Sequence, residues 1–166
     1  MRHSVHEFLR GLDNYLANGY INELSFEDPA QDALEYLSGL YVADVRKGLE
    51  YCKLILESDV PFSDSLRAAC LYYLLMSQDE WGYAFLFLLR YSKSLSVEML
   101  KEAFEYFCYA RRDVDEHAVP EGLFESLLAR YQELKSDPDA NFYKLHEFYI
   151  EFLRLHPLEG GRVEER

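Results

Sequence analysis

Residues 63–90 read SDSLRAACLYYLLMSQDEWGYAFLFLLR, and this stretch decides the fold class. Ser63 or Asp64 offers a side-chain oxygen to the first turn of a helix. Leu66, Ala69, Cys70, Leu71, Tyr73, Leu74 and Leu75 then occupy nearly every side of it as far as Met76. A helix that is apolar all round is one the core surrounds, so this one is expected to be central. Ser77 and Glu80 follow at capping-box spacing. They lead into Trp81, Ala84, Phe85, Leu88 and Leu89, a helix expected to be buried on most sides. Neither run alternates apolar with polar residues as a half-buried strand does. The apolar run from Trp81 to Leu89 is about half of what a membrane-spanning helix needs, and Asp79, Glu80 and Arg90 flank it.

The same start and stop signals continue in both directions. Upstream, Ser4 and Glu7 form a capping box, and Gly19 offers a left-handed stop to the helix they open. Asp28 with Pro29 opens the next helix, Gln31 stands where it completes a second box, and Gly39 breaks the helix after Ser38. A third runs from about Ala43 to Glu57, with Val45, Leu49, Cys52 and Leu56 on one stripe. Downstream, Ser96 precedes a helix carrying Leu100, Ala103, Phe104, Phe107 and Cys108. Pro120 opens one with Leu123, Leu127, Leu128, Tyr131 and Leu134, and Asp137-Pro138 opens one that continues through Phe142, Leu145, Phe148, Tyr149, Phe152 and Leu153 to a stop at Pro157.

The expectation is an all-α protein of about eight antiparallel helices, in an irregular bundle or as stacked helical hairpins resembling a degenerate helical repeat. No flexible linker separates two complete apolar sets, so residues 1–158 read as one domain and 159–166 as a frayed polar tail. A chain of 166 residues buries about 70% of its unfolded surface, enough for a core without staples.

Charge and cysteine usage narrow the function. The net charge of −13 argues against nucleic acid and anionic membranes, which are held through Lys and Arg. Residues 11–45 contain no Lys or Arg at all, and residues 11–66 carry eleven acids against three bases. Such a segment predicts a negative face for a basic protein partner. Asp28, Asp32, Glu35 and Tyr36, on the opening turns of one helix, are the predicted contact residues. Tyr51, Tyr72, Tyr106 and Tyr109 also fall off the apolar stripes, where tyrosine serves an interface. Cys52, Cys70 and Cys108 are odd in number and lie within apolar patterns, which fits reduced core thiols. The first residues lack a secretory leader, so a cytoplasmic location is expected.

Catalytic and cofactor motifs are missing. No Glu-x-x-His pair, His-Glu-x-x-His, zinc-ribbon spacing, phosphate loop, dinucleotide turn or nucleophile elbow occurs. The reading is therefore of a non-enzyme with no cofactor and no metal. The polar run Arg111 to His117 concentrates Asp113, Asp115, Glu116 and His117 but has no glycine for a calcium loop. His3 and His6 stand one turn apart without a third ligand. In general profile, small, acidic, helical and free of motifs, the chain is similar to bacterial immunity proteins. That resemblance implies binding and inhibition of a basic toxin, with fast association driven by opposite charge. Two other expectations are a self-associating scaffold, active as a homodimer, and a helical enzyme or ligand binder with a pocket between helices.

Overall fold

In the computed structural model, residues 3–22, 28–58, 63–110 and 119–156 are described. They form nine α-helices and two 3-10 turns, and among them there is no strand. The chain divides into two compact units, Met1–Gln78 and Asp79–Arg166.

The first unit holds α1 (Val5–Asn18), α2 (Pro29–Ala43), α3 (Val45–Glu57) and α4 (Asp64–Leu75). Each of the first three packs against its successor, and α2 also meets α4. Local chemistry sets the boundaries. The Glu7 backbone N–H donates to Ser4 Oγ at 3.2 Å, and the Ser4 N–H donates to the Glu7 carboxylate at 3.4 Å, closing the capping box. Gly19 ends α1 at φ 86°, where its N–H donates to the Tyr15 carbonyl at 2.7 Å. Asp28 caps α2 by accepting from the Gln31 N–H at 3.1 Å. The second box is only half formed, because the Gln31 amide donates to Glu35 at 3.4 Å. Asp44 ends α2 and caps α3, accepting from the Lys47 N–H at 3.2 Å. Ser63 caps α4.

Gly39 does not break α2. It lies inside the helix because the Phe8 ring of α1 occupies the space its side chain would take. Gly11 plays the same part on α1, where the Tyr36 ring of α2 lies over it. Close approach of backbone to ring at these two points draws α1 and α2 together. The core between the helices is Leu12, Tyr15, Ala33, Leu37, Leu40, Cys52, Ile55, Leu66, Cys70, Leu71 and Leu74, all 2% exposed or less. Each fully buried Leu or Ile contributes about 1.5–3 kcal/mol. Helix α4 is central as expected on one broad face, while Tyr72 and Met76 are exposed.

The second unit holds α5 (Trp81–Arg90), α6 (Val97–Ala110), α7 (Leu123–Leu134), α8 (Pro138–Phe142) and α9 (Leu145–Leu155). Its centre is the pairing of α6 with α9, and α7 packs on α5 and α6. Phe104, Phe107 and Phe152, all fully buried, meet there at ring separations of 4.8–6.1 Å. The buried His156 ring is hydrogen-bonded through Nε2 to the Phe107 carbonyl at 2.7 Å, so it satisfies backbone in the core.

Three boundaries differ from expectation. A 3-10 turn at Gln78–Glu80 precedes α5, which has no side-chain cap, and Leu86 and Leu89 are exposed. That helix is buried on one side only. Pro120 belongs to a turn whose Gly122 takes φ 85°, so α7 begins at Leu123. The last expected helix is two, α8 and α9, because Lys144 between them adopts φ 58°. The expected stop at Pro157 and the tail 159–166 lie outside the described residues.

Candidate functional site

An open groove of about 1010 Å³ runs along α1 in the first unit. Glu7, Arg10, Gly11, Asp13 and Asn14 supply one wall, Tyr20, Ile21 and Asn22 another, and Tyr36 of α2 the floor over Gly11. Residues 7, 10, 11 and 14 share a helix face by their spacing of three and four. Asn14 builds the end of the groove, its amide donating to the Tyr20 carbonyl at 3.0 Å and to the Ile21 carbonyl at 2.9 Å. The Tyr36 ring is fixed by His3, at 5.1 Å between centroids, and by the edge of Phe8 at 5.6 Å.

The charges of the groove differ in what already satisfies them. Glu7 is hydrogen-bonded to His3 at 2.9 Å and accepts from Ser4. Those contacts, that with His3 foremost, hold its carboxyl below the usual carboxylate range. Asp13 accepts from the Tyr51 hydroxyl at 2.6 Å. Burial first, and then this bond to a carboxylate, push the Tyr51 hydroxyl up to about 12. Arg10 is exposed, and among the described residues its guanidinium has no ion pair.

The sequence-predicted contact residues separate. Tyr36 is half buried in the groove floor. Asp28 and Glu35 are exposed on α2 and joined through Gln31, which donates to both; Asp32 is half buried. None of these three carboxylates lines the groove. Of the other tyrosines proposed for an interface, Tyr72 and Tyr109 are exposed, at 45% and 54%. Tyr51 is tied to Asp13, and Tyr106 packs among Trp81, Phe85 and Phe107 in the second unit. The Arg111 to His117 run lies outside the described residues. Among the described residues no group of three or more His, Cys, Asp and Glu side chains converges as a metal site, and no helix is long and apolar enough to cross a membrane.

Arg10 and the floor made by Tyr36 on Gly11 were not singled out from sequence. The available signal was Gly11 in the middle of a well-capped helix, a residue helices avoid unless something approaches closely.

The chain matches no protein-family model and no curated protein.

Proposed function

We propose that this chain is a non-catalytic interaction protein whose acidic α2 surface docks a protein with a basic face and blocks it, in the manner of an immunity protein. The observation that carries this reading is the state of the acids. Asp28 and Glu35 are exposed and, among the described residues, neither has a cationic partner. Some acids elsewhere are engaged: Glu50 by Lys47 at 3.3 Å, Glu102 and Glu105 by Lys101 at 3.4 and 3.5 Å, and Glu133 by Arg130 at 3.4 Å. Asp64, Asp79, Glu121, Asp137, Asp139 and Glu147 are exposed and, among the described residues, have no ion pair either. What distinguishes Asp28 and Glu35 is their place in a run of thirty-five residues, 11–45, that contains no Lys or Arg.

Exposed ion pairs contribute only about 0–1 kcal/mol each. Their main effect is on the rate of encounter and on salt dependence. The free, buried thiols of Cys52, Cys70 and Cys108 fit a reducing compartment, and the cytoplasm is the location proposed.

The test is capture from lysate of the native cell at low salt by the wild-type chain and by a D28N/D32N/E35Q variant. Asn at position 28 retains the helix cap while removing charge. A basic protein retained by the wild type and lost from the variant supports the proposal. The same retained set on both contradicts it.

A further inference from the structure

We propose that the α1 groove is a binding site for a small, flat monocarboxylate, with Arg10 as its anion-binding residue and Tyr36 as the surface its body lies on. This is independent of the α2 acids and of any protein partner.

The polar groups of the groove differ in what they still lack. Glu7 has His3 and Ser4, and Asp13 has the Tyr51 hydroxyl. Asn14 spends its amide protons on two carbonyls and its oxygen on Asn18 at 2.6 Å. Arg10 lines the same concavity with no ion pair among the described residues. Arg154 is paired with Glu151, and Arg130 with Glu133 and the Leu95 carbonyl. Arg46 and Arg90 are exposed without an ion pair among the described residues, but Arg10 is the arginine that lines this concavity. A planar fork of donors at the wall of a groove matches a carboxylate bidentately.

The shape agrees with that chemistry. The Tyr36 ring is held over Gly11 by His3 and Phe8, so a flat wall exists before anything binds. Pre-formed concave sites with an aromatic wall and one oriented charge suit small planar ligands.

The neighbours of Arg10 select the charge. Glu7 and Asp13, three residues to either side on α1, are both carboxylates. Each repels a second negative charge on a ligand, and the net charge of −13 adds to this. A monoanion is therefore preferred over a phosphate dianion.

The experiment is a resonance titration of the whole chain with benzoate, benzamide, cyclohexanecarboxylate and phenyl phosphate, each to about 10 mM, a range suited to ligands this small. Saturable shifts at Arg10, Gly11 and Tyr36 are expected with benzoate, weaker ones with cyclohexanecarboxylate, and none with benzamide. R10Q, an exposed substitution, is expected to weaken benzoate about tenfold or more, the loss of a charged hydrogen-bonded pair. R10K recovers part of the affinity because it keeps charge without the fork, and D28N/E35Q leaves it unchanged. No saturable binding of benzoate, benzoate binding unaltered in R10Q, or phenyl phosphate bound more tightly than benzoate would each overturn the proposal.

Discussion

The Tyr51 hydroxyl donates a 2.6 Å hydrogen bond to the Asp13 carboxylate and so ties α3 to α1, elements thirty-eight residues apart at this point. The tie also holds one acid of the groove in a satisfied state. Burial and the bond raise the tyrosine from its ordinary value of 10.0 to about 12. A raised tyrosine favours the protonated, folded form. Its contribution to stability is complete below about pH 10 and is lost as pH rises toward 12. Y51F is expected to lower stability by about 1 kcal/mol, because the bond is partly exposed, and to remove one late-ionising group from the alkaline absorbance titration. Tyr106, raised to about 12 by burial alone, remains late in the variant. Loss of that group from the main transition near 10, with the late phase unchanged, would show that Tyr51 ionises with the exposed tyrosines.

Gly48 separates helix propensity from packing. An added Cβ would lie 2.7 Å from the Tyr41 Cα and 3.1 Å from its backbone N, which cannot swing aside. Alanine gains about 1 kcal/mol of helix propensity against an overpacking cost of about 1–3 kcal/mol. G48A is therefore expected to destabilise in urea unfolding by as much as about 2 kcal/mol. A gain in stability would mean that α2 and α3 move apart freely at this point.

Lys144 pays left-handed strain at the join of α8 and α9. Its φ of 58° costs a residue with a Cβ about 1–2 kcal/mol, while glycine gives back part of that through a freer unfolded chain. K144G is expected to stabilise by about 0.5–1 kcal/mol, a rise of roughly 1–4 °C in Tm. A fall in Tm would show that Lys144 holds the join by contacts of its own.

The fold class and most helix starts were legible in the sequence because they rest on local chemistry. Ser4, Asp28 and Ser63 each cap within three residues of themselves, and Gly19 ends α1 where its freedom is needed. The errors fall where a distant residue decides. Gly39 looks like a stop until the Phe8 ring fills its place, and Lys144 gives no sign of the turn it makes. The α1 groove was illegible for the same reason: its floor joins Gly11 and Tyr36 across two helices, and no spacing within either helix reveals that meeting. Asp28 and Glu35 could be singled out from the sequence because charge patterning is a property of the chain itself; their role in binding is the proposal.

The three cysteines are expected to be unreactive in the folded chain. Cys52 and Cys70 are fully buried and Cys108 is 2% exposed. Burial foremost, and then its neighbour Cys52, hold the Cys70 thiol well above its ordinary value. Aromatic disulfide reagent is expected to modify none of them until denaturant unfolds the chain. Stoichiometric labelling under native conditions, at the rate of free cysteine, would contradict the packing of α3 on α4 and α6 on α9.

The central claim, docking of a basic partner on the α2 acids, is tested most directly by the affinity of the captured partner across a range of sodium chloride. For the wild type, affinity is expected to fall steeply with salt, and for D28N/D32N/E35Q it is expected to start lower and fall less steeply. Equal affinities with equal salt slopes would place the contact elsewhere and contradict the account.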